Sequence, residues 1–419
     1  MKRTNKKGFT TVELVIVIAV IAILAAVLIP TFANLIRKAN ISADTQLAKN
    51  LNTALAMDTA ENGKPSGFGD VLDALYENGF VLANMNPTTD GCYFVWEEDE
   101  NQIMLVEIDG TEPKVLYSPK DAGEPDATWH VAVKNQRIAD TVEAALPNVT
   151  IEMTILNTTD LNNEINAGGT VYVDGSIVVD DTNTIKLNNP SVTTTIDLGS
   201  NKVTGGSNDT SAEAFPFYVT AGTLNLKNGV IGATADWYDA DNELVHSAVL
   251  AVDGELNIDS TKFDCPTGEI LIAYGGADGT VKNATINTKG SAINIGSGSN
   301  VVIENCTINV EWEAVWVSNF GGYNSKATIK GGTYSGVGNT IATYGGTIVI
   351  EDGVFKSTQT NLFKFYDTGC SLTIKGGTFN GVKFEDLTAS IIKGMFATGS
   401  TNYANLQANW TGSAWVITN

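Results

Sequence analysis

Gly8-Phe9-Thr10-Thr11-Val12-Glu13, followed by an uncharged apolar run from Leu14 to Ile29, sets the plan of the N-terminal part of this 419-residue chain. Lys2, Arg3, Lys6 and Lys7 stand before it. Phe9 to Ala33 is 25 residues, about 37 Å as a helix at ~1.5 Å per residue, enough to cross a ~30 Å hydrocarbon core. The basic residues hold the N-terminus on the cytoplasmic side and send the rest of the chain outside. Glu13 is the exception, because a carboxylate one turn into an apolar helix is costly and usually functional. A secretory signal peptide needs small residues after the apolar run, and Ile29-Pro30-Thr31-Phe32 stands there instead. A plain anchor needs no Glu13. A cut between Gly8 and Phe9 accounts for it, since the new amine and Glu13 then neutralise each other within or between subunits.

The basic leader, Gly8 before the cut, Phe9 after it, Glu13 as fifth residue beyond the cut and Pro30 in the helix together resemble the type IV prepilin leader shared by pilins and type II secretion pseudopilins. The resemblance is tightest over the first 60 residues and looser to about residue 120. It implies cleavage after Gly8 by a prepilin peptidase and N-methylation of Phe9. It further implies a helix packed in a filament core, with Glu13 matching the amine of an adjacent subunit.

The net charge of −22 is unevenly spread. Residues 1–38 carry six Lys or Arg and one acid, whereas the remainder carries 19 basic and 46 acidic residues, a balance of −27. Such a surface does not track a phosphate backbone, so no nucleic-acid partner is expected. The four cysteines (Cys92, Cys265, Cys306, Cys370) form no CxxC pair, and two histidines are too few to suggest zinc. No cofactor or metal is expected. Four cysteines allow three pairings, and buried free thiols are the plainer reading.

One long helix is predicted to about residue 60, with Leu47, Leu51 and Leu55 as a stripe for a small head and Gly63-Lys64-Pro65-Ser66-Gly67 as its stop. Pro30 is a possible kink site. A short helix carrying Val71, Leu72, Leu75 and Tyr76 follows. Cys92–Trp96 and Gln102–Ile108 flank an acidic turn and read as a hairpin, with Val115–Tyr117 as a third strand. This order resembles the pilin head plan. Residues 118–128 read as linker, and Gln136–Leu146 as a short helix at the junction.

Beyond residue 150 a unit of the form apolar-x-apolar-x-x-small-x-apolar recurs, as in Val301-x-Ile303-x-x-Cys306-x-Ile308 and Ile348-x-Ile350-x-x-Gly353-x-Phe355. Its last apolar positions are 178, 203, 231, 263, 286, 308, 334, 355 and 379. A period of twenty-odd residues means stacked units, and alternation within each means strands. A second apolar segment, such as Ala314–Val317, precedes each Gly-rich corner. The pattern resembles the pectate-lyase-type β-helix superfamily in architecture, which implies no activity by itself. Thr159–Ile165 reads as a helix plugging the first rung, and Thr401–Asn419 as the C-terminal cap.

The expected fold is therefore an α+β pilin-like part followed by an all-β right-handed parallel β-helix. Its expected segments are a leader (1–8), a pilin-like domain (9–120, with 9–33 in the membrane), a linker (121–150) and a β-helix (151–419).

Residues 151–419 contain no arginine and one histidine, His246, which argues against Arg-based elimination of acidic glycans. Asp180-Asp181 and Glu311-x-Glu313 are the visible carboxylate pairs for a hydrolase, and solvated surface is the plainer reading. The 236–243 insertion offers Asp236, Asp239 and Asp241 as possible calcium ligands, but lacks the EF-hand turn glycine. With Val315 and Val317 inward, Trp312 and Trp316 point outward, where they can stack on sugars; the opposite parity buries them. Corner Asn, Thr and Ser residues read as turn formers. The expected function is that of a structural filament subunit, not an enzyme, first inserted in the cell membrane and then displayed at the surface. Its expected partners are other pilins, the peptidase, the assembly machinery and the membrane, with a polysaccharide as a further candidate. The alternatives are a secretion pseudopilin and a surface-anchored polysaccharide-degrading enzyme.

Overall fold

The computed structural model describes residues 11–418 apart from 81–85, 110–111, 135, 156–157, 174, 180–183, 206–215, 234–248, 252, 265–270, 274, 320–321, 338, 359–361, 367–369, 381–406 and 411–413. Four helices are used below: α1 (Thr11–Asn62), α2 (Phe68–Glu77), α3 (Gln136–Ala145) and α4 (Thr158–Glu164). Contacts divide the described chain into two units. One is drawn from Met1–Gly67, Asn84–Ala132 and Thr141–Ile151, the other from Phe68–Ala83, Val133–Asp140 and Glu152–Asn419.

In the first unit, α1 has no glycine and a single proline, and it continues through Pro30 as one helix. It stops at Gly63, whose φ of 95° no other residue adopts cheaply. Its N-terminal half leaves apolar side chains outside, with Val12, Ile29 and Phe32 all more than half exposed. Its C-terminal half buries Asp44, Ala48, Leu51 and Leu55, so the predicted stripe faces the head core. That head is an antiparallel sheet of β1 (Cys92–Glu97), β2 (Gln102–Asp109), β3 (Glu112–Tyr117) and β4 (Trp129–Val133), in the order β3-β2-β1-β4. The stretch 121–150 holds more than a linker needs, because β4 pairs with β1 through Val131 and Val95, and α3 follows. The β4 segment is only five residues long and follows Pro- and Gly-containing acidic sequence, so its alternation is a weak local signal.

Polar contacts lock α1 to this sheet and to the loop that precedes it. Asn52 reads both backbone groups of Ile103: its Nδ2 donates to Ile103 O at 2.6 Å and its Oδ1 accepts from Ile103 N at 2.8 Å. Buried Asp44 accepts from Thr88 N, Thr89 N and Thr89 Oγ1. Arg37 pairs with Glu107. At the hairpin, the Glu97 carboxylate accepts from the backbone N–H groups of Asp99 and Glu100 at 2.8 and 2.9 Å. The acidic turn is thus shaped by its own first carboxylate.

The second unit is a parallel β-helix. One column of eight parallel strands runs from Ile185–Leu187 through Ile293–Ile295, Val315–Ser318 and Ile341–Tyr344 to Phe363–Phe365. The other strands form two adjoining columns that meet at a sharp corner. Asn228, Ser260, Asn283 and Asn305 take φ between 52° and 58° at that corner in successive rungs. Asparagine tolerates this left-handed region, which confirms the turn-forming role of these residues. Gly331 and Gly332, with φ of 110° and 99°, take the next corner, where a Cβ on Gly332 would lie 2.3 Å from Cys306 O.

Register follows the predicted repeat: Val203, Ile231, Phe263, Ile286, Ile308, Tyr334, Phe355 and Phe379 pair in sequence and are all buried. Tyr334, Phe355 and Phe379 stack, with centroids 4.9 and 5.1 Å apart. The first unit of the repeat differs. Val178 is 64% exposed while Ile177 and Val179 are buried, because Ile177 is the partner of Val203. The corner after Val173 is one residue shorter than in later rungs, and a one-residue slip moves every side chain to the other face.

Both ends of the stack are covered. Helix α4 buries Leu161 at one end. Asn162 and Asn166 then act as a substitute strand edge: Asn162 donates to Thr184 O and accepts from Lys186 N, and Asn166 donates to Lys186 O and accepts from Asn188 N, at 2.9 to 3.0 Å. At the other end Ala414–Thr418 pairs antiparallel with Gly377–Asn380 and forms a hairpin with Gln407–Trp410. An antiparallel strand ends the parallel series.

Asn52→Ala strands two backbone groups of Ile103, which is 4% exposed, so it should destabilise the head by about 2 kcal/mol. The exposed neighbour Asn50→Ala should stay within about 0.5 kcal/mol. Denaturant unfolding followed by tryptophan fluorescence checks both. The Asn162→Ala/Asn166→Ala double variant bares the first strand edge and should self-associate where the parent does not, read by light scattering.

Candidate functional site

Gly8 and Phe9 lie outside the described residues. Glu13 lies in the first turn of α1, where the helix dipole favours negative charge, and its neighbours Val12 and Leu14 are 67% and 53% exposed. The apolar part of α1 is long and apolar enough to cross a membrane, and none of its most apolar window is buried within the chain. One face of chemistry is thus an apolar rod carrying one carboxylate near its tip.

On the β-helix, Val315 and Val317 point inward and are fully buried, so the parity expected for this strand holds. Trp316 lies on the outer face, half-buried, and Trp312 projects from the preceding turn at 59% exposure. Trp316 packs not with Trp312 but with Tyr366, centroids 5.2 Å apart and planes tilted by 40°. Lys364 Nζ lies 5.2 Å from the Tyr366 ring centre. Glu313 is buried and accepts from Ser291 Oγ at 2.8 Å. Glu311 is exposed, so the two members of Glu311-x-Glu313 differ in environment. Burial first, then the Glu313 charge, pushes the Tyr366 hydroxyl up. Sequence reasoning missed Tyr366, Lys364 and Tyr344. The available signal was the aromatic closing two successive apolar segments, Ile341-x-x-Tyr344 and Phe363-x-x-Tyr366.

A second polar cluster lies where α2 meets the first rungs of its own unit. Phe68 packs edge-on to Tyr172 at 5.4 Å, and Asp73, Tyr76, Tyr172 and Asp197 line a small pocket. Asp73, at the solvent edge of that pocket, is pushed up to about 6 by partial burial, then by the charges of Asp197, Asp70 and Glu77. Burial also pushes the Cys92 and Cys306 thiols up to about 11, which leaves them unreactive. Cys92, Cys306 and Cys370 are free thiols. Cys265, His246, the Asp180-Asp181 pair and the candidate calcium ligands Asp236, Asp239 and Asp241 lie outside the described residues. Among the described residues no three His, Cys, Asp or Glu side chains converge as a metal site.

The prokaryotic N-terminal methylation motif matches residues 3–29, which include Gly8, Phe9 and Glu13. A fimbrial protein of Moraxella nonliquefaciens is 34% identical over 94 residues, 20% of this chain and 60% of that protein. The type IV major fimbrial protein FimA of Dichelobacter nodosus is 42% identical over 92 residues, 21% of this chain and 56% of that protein. The N-terminal part of this chain is homologous to type IV pilins. The type IV wide pilus major component PilA4 of Thermus thermophilus is 55% identical over 51 residues, 12% of this chain and 37% of PilA4. The chain thus spans little more than half the length of the first two relatives. No solved structure matches it.

The docking of α2 should depend on pH. A carboxyl raised in the folded state contributes stability that is fully present below its unfolded value and is lost as pH rises through the folded value, here from about 4 to about 6. The parent should therefore melt at lower temperature at pH 8 than at pH 4.5. Asp73→Asn should narrow that difference, as read by calorimetry at the two pH values.

Proposed function

We propose that the chain is a structural subunit of a type IV pilus or related surface filament. The observation that carries this reading is the apolar, outward-facing N-terminal half of α1 with Glu13 in its first turn, joined to the methylation motif and the fimbrial relatives. The precursor sits in the cell membrane with its N-terminus cytoplasmic. A prepilin peptidase cuts between Gly8 and Phe9 and methylates the Phe9 amine. The assembly machinery then packs α1 against the helices of other pilins, where burial of side chains such as Ile16, Leu24 and Phe32 drives association. Within that apolar core Glu13 is tolerated only when a neighbouring Phe9 amine neutralises it, which fixes the axial register of the incoming subunit.

The β-helix is the displayed load, carried for adhesion to a glycan or another surface partner rather than for catalysis. Its size relative to the head suits a minor or tip subunit. The relatives named as fimbrial proteins favour a pilus over a secretion pseudopilus.

Glu13→Ala in the native host should still be cleaved and should leave the cell bare of filaments containing this subunit. Gly8→Phe should keep its leader. Mass spectrometry of the N-terminus and electron microscopy of the cells read the two results. Normal filaments from the Glu13 variant would remove the role given to it.

A further inference from the structure

Several of the exposed aromatic residues described in the β-helix gather on consecutive rungs. Parallel register places Trp316 opposite Ala342, and Ala342 opposite Lys364. Two residues further along, Ser318 is opposite Tyr344, and Tyr366 N donates to Thr343 O at 3.0 Å, which sets Tyr366 one rung beyond Tyr344. Side chains at these alternate positions share one face, and the rungs are about 4.8 Å apart. The outer face therefore carries Trp316 on one rung, Tyr344 on the next, and Lys364 with Tyr366 on the third. Tyr344 and Tyr366 are 42% and 46% exposed. Ala342, the small residue between, is fully buried, and Trp316 and Tyr366 lean together across its rung.

The side-chain types define the partner. Flat rings stack on the apolar faces of pyranoses, while Lys364 and the Tyr366 hydroxyl supply hydrogen bonds at the rim. These register positions expose no aliphatic side chain, in contrast to the apolar centre of a protein interface. Charge narrows the choice further. Beyond residue 38 the chain carries a balance of −27, and the buried Glu313 carboxylate acts on Tyr366, so a polyanionic glycan is repelled. We propose that the surface of Trp316, Tyr344, Lys364 and Tyr366 binds an uncharged glycan, with sugar rings lying on Trp316 and Tyr366 and with Trp312 at the margin. The proposal rests on the surface-display reading above and names the ligand class of the displayed domain.

The test uses the full-length chain in micelles of a detergent without a sugar headgroup. It is titrated with cellohexaose, N-acetylchitohexaose and hexagalacturonate, followed by tryptophan fluorescence and calorimetry. At least one uncharged hexasaccharide should bind, and hexagalacturonate should not. Trp316→Ala and Tyr366→Ala should each weaken binding by about tenfold or more, whereas Tyr366→Phe and Trp312→Phe should change it far less. Silence from both uncharged sugars, preference for hexagalacturonate, or unchanged affinity in the alanine variants overturns the proposal. Adherence to a protein-coated surface that Trp316→Ala abolishes, with no sugar bound by the parent, also overturns it and assigns the patch to a protein. Because binding is read on unassembled protein, failure of the pilus reading shows separately, as filaments that form normally from Glu13→Ala.

Discussion

Each rung of the β-helix leaves its backbone hydrogen bonds to be completed by the rungs on either side, since its strands are three to eleven residues long and their N–H and C=O groups point along the stack. That constraint reaches from Thr150–Ile155 to the final hairpin. It requires parallel register at every step, one or two left-handed residues at each sharp corner, and inward side chains that match the rung before. It also makes the two ends the vulnerable places. One is closed by two asparagine amides that imitate a strand, the other by a strand running in the opposite direction.

The first unit solves the same accounting problem with side chains. A helix cannot hydrogen-bond to a sheet through its own backbone, so Asn52 reaches across to both groups of Ile103, and Asp44 takes three donors from Thr88 and Thr89. These contacts fix where α1 crosses the sheet, while Leu51 and Leu55 supply the apolar contact. The helix then uses its two halves differently. One half completes a core inside the chain, and the other presents apolar surface that only a membrane or other subunits can cover.

This division matches the chemistry of the molecule's two exposed faces. The rod near Glu13 offers an apolar surface and one charge. The rungs around Trp316 and Tyr366 offer rings and hydrogen-bonding groups on a rigid frame, where neighbouring strands hold the side chains at fixed spacing.

Much of this was legible in the residues alone. The uncharged run after Glu13, the stop at Gly63, the twenty-odd-residue period and the inward column from Val203 to Phe379 follow from local chemistry and periodicity, and the tertiary structure keeps them. It decided what depends on register and long-range contact. The first rung inverts Val178 because its corner is one residue shorter, a difference that no alternation pattern marks. Trp316 joins Tyr366, 50 positions away and two rungs along the stack, rather than Trp312, four positions away, because the small Ala342 on the rung between lets the two rings meet across it. Asp73 shares a pocket with Asp197, and Asn162 and Asn166 cover a strand edge, because α2 and α4 pack on rungs distant in sequence. The sequence by itself therefore determined the helix, the single carboxylate of its apolar half and the repeat. Only the tertiary structure decided which polar and aromatic side chains meet, since those meetings depend on how many residues each corner spends before the next strand begins.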